Sequence, residues 1–220
     1  MDTLAHLLRC NRGFMIPFGL MMLISGIGLI LLPKGQEVIY INQWHNPGAD
    51  IFFRHVTHLG DGLFAIVLAL AMLWVRFRHT LQLLLSWGIS GLAVQLLKRT
   101  FFADQVRPAA YFKQSTPLHY VEGVTVHFNY SFPSGHSATA FAIFLSLSIA
   151  LQGRSNWLSF ICFALASLVA FSRIYLVQHF GEDVYAGAWI GTLTALYIGY
   201  QMEQPKRWFN QPFWQKKLSL

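Results

Sequence analysis

Long apolar runs dominate this chain, and they restrict it to a helical membrane architecture. Of its 220 residues, 55% are hydrophobic and only 11% are charged, whereas about 25% of the residues of a soluble domain are charged. A helix needs about 20 mainly apolar residues to cross a bilayer. Six runs approach that length: Phe14–Leu32, Leu63–Phe77, Leu81–Leu97, Ser137–Leu151, Trp157–Ser172 and Val184–Gln201. The sequence therefore predicts an all-α, polytopic membrane protein whose six transmembrane helices form one bundle, with a single domain over residues 1–220.

The basic residues predict how this bundle is oriented. With a cytoplasmic N-terminus, the connections after the second and fourth runs are short, basic and cytoplasmic, as the positive-inside rule expects. Nine lysines and arginines then lie on the cytoplasmic side: Arg9, Arg12, Arg76, Arg78, Arg154, Lys206, Arg207, Lys216 and Lys217. The net charge of +7 is concentrated there, where it is attracted to anionic lipid head groups rather than to nucleic acid. We expect a bacterial inner (plasma) membrane protein with both termini in the cytoplasm.

Three short polar segments, here called the first, second and third polar islands, lie at the edges of the apolar runs. The first is Lys98 with Arg107-Pro108, the second is Pro133–His136, and the third is Ser172-Arg173 with His179 and Asp183. In the orientation above, all three fall on the outer face of the membrane, towards the periplasm or the exterior. Together they supply cations, histidines and a carboxylate, which are the groups needed to hold a phosphate and attack it.

The third polar island has the most constrained spacing. His179 and Asp183 are four residues apart, so they share one face if this stretch is helical. Asp183 then accepts a hydrogen bond from one imidazole nitrogen and leaves the other free to attack phosphorus. Arg173 lies where a turn brings its guanidinium back over His179, to hold a phosphate bidentately. The alternative, a snorkelling arginine and an ordinary loop histidine, stays open on this segment alone.

The second polar island is typical of a helix N-terminus. Ser134 caps the helix, and backbone N–H groups at Ser134 and Gly135 offer an anion site. His136 then stands beside the bound anion as a general acid for the leaving group. Lys98 and Arg107 of the first island add further phosphate ligands. Each island taken singly has a structural explanation, such as an ordinary N-cap or an interfacial cation. For these explanations to hold, all three islands would have to lie on the same membrane face by coincidence.

The polar islands also match a known family. Pro133-Ser134-Gly135-His136 and Ser172-Arg173-x5-His179-x3-Asp183 resemble the second and third signature motifs of the type 2 phosphatidic acid phosphatase (PAP2) superfamily. Lys98 and Arg107-Pro108 resemble the first motif, although eight residues separate them here and six is usual in the family. Arg99 is therefore a competitor for the first-motif cation. The resemblance covers residues 98–183 and points to the bacterial membrane lipid phosphatase branch.

The resemblance implies a role for each matched residue. His179 attacks phosphorus to form a phosphohistidine, and Asp183 orients it. His136 protonates the departing oxygen and then activates water. The phosphoryl oxygens are held by Lys98, Arg107, Ser134, Gly135 and Arg173. Such a reaction needs no cofactor and no metal.

Two smaller features have structural interpretations. His55 and His58, with Asp61 nearby, are the only residues spaced like metal ligands, and we interpret them as structural. Gly187 and Gly191 are four apart on the last run, a spacing that allows close helix approach. They form either a contact between two helices of this chain or the face of a homodimer.

These observations predict a phosphatase that acts on a membrane lipid phosphate or pyrophosphate. Candidate substrates are undecaprenyl pyrophosphate, phosphatidylglycerol phosphate, phosphatidic acid and the phosphate groups of lipid A. One alternative is an intramembrane serine hydrolase that uses Ser134, but it leaves the cations without a role. Another is a non-catalytic transporter, for which charges near the bilayer midplane are expected rather than a cluster at one face.

Overall fold

The structure, a computed structural model, describes residues 3–113, 116–151, 155–204 and 211–218. Within these ranges the chain forms ten α-helices and no β-strand. The helices are α1 (Thr3–Cys10), α2 (Arg12–Leu31), α3 (Gln36–Asn42), α4 (Pro47–Val56), α5 (Gly62–Met72), α6 (Phe77–Thr100), α7 (Pro108–Phe112), α8 (Gly135–Ala150), α9 (Asn156–Tyr175) and α10 (Gly181–Glu203). Short 3₁₀-helices cover Thr57–Gly60 and Pro212–Gln215. The predicted all-α class is confirmed for the described residues.

Each of the six predicted apolar runs is helical, as α2, α5, α6, α8, α9 and α10. The largest difference concerns the second run, since α5 ends at Met72 and a turn follows before α6 begins at Phe77. In that turn the backbone N–H of Val75 donates to the carbonyl of Met72 at 3.0 Å. The turn contains no glycine or proline that would have marked it in the sequence. The predicted run was therefore continued through it on apolar composition alone.

Membrane crossing is supported for some of these helices by length and composition. Helices α2, α6 and α9 are long and apolar enough to span a bilayer, and α4 with α5 makes a fourth span if this pair, bent by 59°, is counted as one. Helix α8 has only 16 residues, and α10 is not among the helices that are apolar enough. The chain is therefore a membrane protein with three or four candidate spans among its described residues, and the layout of six spans stays a prediction.

The polar islands meet at one end of the bundle because the six apolar helices alternate in direction. Lys34, just after α2, pairs with Glu182 at the start of α10 at 2.6 Å. Asp61, just before α5, contacts His136 in the first turn of α8 at 2.7 Å. At the other end, the backbone N–H of Phe77 donates to the carbonyl of Lys216 at 2.9 Å. The described N-terminal and C-terminal segments thus lie at the end opposite to the islands.

Helix α8 is the central element of the core. Twelve of its sixteen residues are buried, and it packs on α6, α9 and α10. The glycines of α10 make this contact close, because a Cβ at Gly187 would collide with the carbonyl of Ser134, and one at Gly191 with the carbonyl of Ala138. The glycine pair therefore joins two helices of this chain rather than two copies of it, and a homodimer stays a prediction.

Candidate active site

His179 lies in the turn between α9 and α10, where the backbone folds back onto the end of α9. The carbonyl of Arg173 accepts hydrogen bonds from the backbone N–H groups of Gln178, at 2.9 Å, and His179, at 3.1 Å. This turn places His179 beside Arg173, as the sequence predicted. The sequence predicted that His179 and Asp183 share one face if this stretch is helical, but α10 begins only at Gly181, so His179 lies outside the helix.

Asp183 nevertheless holds the imidazole of His179. The Nδ1 of His179 lies 3.2 Å from Oδ2 of Asp183, and both side chains are buried. The same oxygen accepts the backbone N–H of Phe180 at 2.9 Å and the hydroxyl of Ser131. Because this contact makes Phe180 the N-cap of α10, the helix begins at Gly181 and His179 lies just before it. With Nδ1 directed at a carboxylate, Nε2 is the nitrogen left free to react.

Three cations from separate elements surround this histidine. Lys98, in the last turn of α6, donates from Nζ to the carbonyl of Tyr130 at 2.9 Å. Arg107 donates from Nη1 to the side-chain oxygen of Gln178 at 3.1 Å. Lys98 is 7% exposed and Arg173 is 6% exposed, whereas Arg99 is exposed to solvent. Of the two candidates for the first-motif cation, Lys98 is the one that lies in the cluster.

Arg173 is only partly satisfied by the protein. Its Nη1 donates to the hydroxyl of Thr57 at 2.6 Å, but its buried Nε has no hydrogen-bond partner among the described residues. A buried N–H without an acceptor costs about 1–3 kcal/mol, and more in a charged group. A phosphoryl oxygen would supply the missing acceptor.

The cluster also sets the charge state of His179. Its burial, and then the positive charges of Arg107, Arg173 and Lys98, hold the pKa of His179 well below the ordinary value of 6.5. The imidazole is therefore neutral at neutral pH. A neutral ring keeps the lone pair on Nε2 that a nucleophile needs.

The second polar island forms the start of α8, as predicted. Ser134 is the N-cap, and its hydroxyl oxygen accepts the backbone N–H of Ser137 at 3.4 Å and the Ser137 hydroxyl at 3.0 Å. The backbone N–H of Ser134 donates to the carbonyl of Asp183 at 2.9 Å, which ties this island to the third. Gly135 is the first residue of the helix. In both cap contacts the Ser134 oxygen is the acceptor, so its lone pairs are engaged, which argues against its use as a nucleophile.

His136 makes a contact that the sequence did not suggest. Its Nε2 lies 2.7 Å from Oδ1 of Asp61, and the other oxygen of Asp61 lies 2.7 Å from Nδ1 of His58. His55 is exposed and takes no part in this contact. Across the described ranges, no group of three or more His, Cys, Asp or Glu side chains is placed to hold a metal ion.

The segment before the second island brings the first island to the site. The backbone N–H of Arg107 donates to the carbonyl of Phe128 at 2.8 Å, and that of Ser131 donates to the carbonyl of Gln105 at 2.9 Å. Arg107 thereby lies next to the residues that lead into α8. This irregular pairing has no periodic pattern, so the roles of Ser131, which bonds Asp183, and of Gln178, which bonds Arg107, were missed.

All eight predicted site residues therefore gather at one end of the bundle. A family model described as the PAP2 superfamily matches residues 79–207, a range that contains every one of them. The chain belongs to the PAP2 superfamily. This membership confirms the resemblance that the polar islands indicated.

Relatives of this PAP2 chain act on lipids. Phosphatidylglycerophosphatase B of Bacillus subtilis is 30% identical over 165 residues, which cover 69% of this chain and 74% of that protein. Lipid A 1-phosphatase of Porphyromonas gingivalis is 40% identical over 70 residues, 32% of this chain and 16% of that protein. The aligned segment thus spans about a sixth of the length of this second relative.

A solved transmembrane structure shares the fold of this PAP2 chain. The first transmembrane PAP2 type phosphatidylglycerolphosphate phosphatase from Bacillus subtilis superposes with a TM-score of 0.65 at 24% identity, covering 88% of this chain and 98% of that one. The likeness shows that the helical arrangement is that of a transmembrane PAP2 protein.

Proposed function

We propose that this protein is a metal-independent lipid phosphatase that works through a phosphohistidine on His179. The observation that carries the proposal is the pairing of His179 with Asp183 at 3.2 Å, close to three cations from separate elements. A buried cluster of like charges is costly unless an anion joins it. A phosphate supplies that anion, and the nucleophile already lies within the cluster.

The first chemical step forms the phosphoenzyme. The lone pair on Nε2 of His179 forms a bond to phosphorus while the bond to the lipid oxygen breaks. That oxygen takes a proton from His136, so the alcohol or phosphate leaves in neutral or less charged form. Lys98, Arg107 and Arg173, with the hydroxyl of Ser134 and the N–H group of Gly135, stabilise the charge on the equatorial oxygens.

The second step regenerates the enzyme. His136, now neutral, accepts a proton from water as that water attacks the phosphorus. The bond between phosphorus and Nε2 breaks, and its electron pair returns to His179. Inorganic phosphate is released, and His136 again carries the proton that the next turnover needs.

A lipid substrate fits the surroundings of the site. An apolar cavity of about 450 Å³ lies between α2, α9 and α10 and is bordered by Phe180 and Gly181, which directly follow His179. Lipid tails in such a cavity would lie beside the turn that carries His179. Four aromatic side chains of the loop between α6 and α8 are exposed and border the same end: Tyr111, Tyr120, Phe128 and Tyr130.

The relatives and this geometry support a choice among the candidate substrates. Phosphatidylglycerol phosphate and the phosphate groups of lipid A lead the set of candidates, followed by phosphatidic acid and undecaprenyl pyrophosphate. The six-span layout would place the site at the outer face of an inner membrane, reached from the outer leaflet. The whole chain would act as a single domain within the bilayer.

Phosphate release from purified protein in detergent tests the proposal. The panel contains the four lipid phosphates and a soluble sugar phosphate, each with and without a chelator. We expect release from at least one lipid, unchanged by the chelator and absent in the His179→Ala variant. Release from the sugar phosphate alone, or activity that needs an added divalent ion, would contradict the proposal.

A further inference from the structure

The 3₁₀-helix Thr57–Gly60 and the following Asp61 touch two proposed site residues. The hydroxyl of Thr57 accepts from Arg173 at 2.6 Å, and the carboxylate of Asp61 contacts His136 at 2.7 Å. This segment lies outside residues 79–207, which the family model matches, and outside all three polar islands. It nevertheless contributes directly to the environment of the site.

The position of Asp61 beside His136 is fixed by close backbone packing. A Cβ at Gly60 would lie 2.7 Å from Cγ1 of Val169 and 3.0 Å from the carbonyl oxygen of His136, so a larger residue here would push the two segments apart. Asp61 follows immediately, and its Oδ1 meets the Nε2 of His136. Its Oδ2 meets the Nδ1 of His58 at 2.7 Å. Both carboxylate oxygens are therefore engaged by histidines.

The charges around His136 give this contact a chemical consequence. A general acid must carry a proton before the leaving group departs. Burial, and then the positive charges of Arg173 and Arg107, hold the pKa of His136 below its ordinary value and oppose an imidazolium there. Asp61 brings negative charge in direct contact, and a carboxylate paired with histidine stabilises the imidazolium and fixes its tautomer.

We propose that Asp61 is the positioning residue of the general acid His136. Its carboxylate accepts the Nε2–H, locks the ring beside the bound phosphate and leaves the Nδ1–H to protonate the leaving oxygen. In the first step the Nδ1 proton moves to the lipid oxygen as the bond from phosphorus to that oxygen breaks. In the second step Nδ1 takes a proton back from water. Throughout, the Nε2 proton stays on the bond to Asp61. This inference rests on the proposed phosphatase function.

The test compares two substrates with different leaving groups. An alkyl leaving group such as a lipid alcohol needs protonation, whereas an aryl phosphate with a nitrophenolate leaving group does not. In Asp61→Asn, which keeps the size of the side chain and loses its charge, we expect kcat/KM on a lipid phosphate to fall about 10- to 100-fold. The kcat/KM on the aryl phosphate should change less than about threefold, because kcat/KM reports only the step in which the leaving group departs. Asp61→Ala should show the larger loss, since it removes the acceptor as well.

A matched control and a pH profile separate positioning from a structural role. His58→Gln alters the other partner of the same carboxylate without touching His136, and should retain the activity of the wild type on both substrates. In Asp61→Asn the alkaline limb of kcat on the lipid phosphate should move to lower pH, because the imidazolium has lost its paired anion. A structural defect would not move this limb.

The outcomes distinguish this inference from the function on which it rests. A wild-type protein inactive on every phosphate would overturn the proposed function and the inference with it. A wild-type protein that depends on His179, with Asp61→Asn matching it on the lipid phosphate, would overturn the role of Asp61 alone. Equal losses on both substrates would do the same, since they would show that Asp61 does not act through the leaving group.

Discussion

At the residue scale, Lys98 and Arg99 show how one position on a helix separates a site residue from a surface residue. Successive residues on an α-helix point about 100° apart, so neighbours face different surroundings. Lys98 faces the cluster, where its Nζ is held by the carbonyl of Tyr130 at 2.9 Å. Arg99 is exposed. The sequence left the choice between them open because the gap to Arg107 departs from the family pattern.

This pair provides a matched test of the phosphate cluster. Lys98→Gln should lower kcat/KM by about 10²- to 10³-fold, the effect of losing one preorganised donor to a developing charge. Arg99→Gln should leave kcat/KM within about threefold of the wild type, because an exposed cation makes little net contribution. Steady-state kinetics on the best lipid of the panel measure both. The reverse order of effects would assign the role to Arg99.

The sequence predicted the main residues of the site but not their supports. Spacing and polarity singled out His179, Asp183 and His136 because each lies at the edge of an apolar run. The supports Ser131 and Asp61 reach the site through long-range contacts, at sequence separations that follow no helical period. Such contacts depend on how the loops fold, and a local pattern does not contain that information.

At the element scale, the packing of α10 on α8 holds the two motif-bearing helices in register. A Cβ at Gly187 would collide with the carbonyl of Ser134, the residue that caps α8. The N-terminal ends of both helices carry site residues, so separating them would also separate His136 from Asp183. The glycine spacing predicted close packing, but only the structure shows that the partner is α8.

Alanine at Gly187 should therefore destabilise the protein and lower its activity. Overpacking costs about 1–3 kcal/mol, which lowers the melting temperature by about 2–12 °C for a chain of this size. Gly88→Ala is the control, because nothing lies within 4 Å of a Cβ there, and alanine favours the helix by about 1 kcal/mol. Thermal unfolding in detergent measures both variants. A Gly187→Ala variant as stable as Gly88→Ala would contradict the packing described here.

The helix pattern itself was well predicted from composition, and the ends less so. All six apolar runs are helices, because burial or lipid contact demands that their backbone groups bond internally. The last run was predicted to begin at Val184, whereas α10 begins at Gly181. The carboxylate of Asp183 accepts the N–H of Phe180 at 2.9 Å and caps the helix there. The first turn of α10 contains polar residues, so the apolar run did not include it.

At the scale of the whole molecule, the alternation of helices puts the site at one end and the described terminal segments at the other. The count of basic residues assigned the terminal end to the cytoplasm, although Arg154, Lys206 and Arg207 lie outside the described residues. Glu122 is exposed in the loop at the site end, and Asn156 is exposed at the other end. These two positions report the orientation of the molecule.

Cysteine labelling in intact spheroplasts tests this orientation. In a background where Cys10 and Cys162 are replaced by serine, Glu122→Cys should react with a membrane-impermeant thiol reagent. Asn156→Cys should react only after the membrane is opened, because the reagent cannot cross the bilayer. The opposite pattern would invert the topology and place the site in the cytoplasm.

The measurement that tests the central claim most directly is the capture of the phosphoenzyme. The protein is mixed with a lipid phosphate labelled at phosphorus, quenched with alkali within one turnover, digested and analysed by mass spectrometry. A phosphohistidine survives alkali and is lost in acid, so we expect an acid-labile phosphate on the peptide that contains His179, and none in His179→Ala. A burst of released phosphate with no label on that peptide, or an acid-stable label on Ser134, would contradict the account.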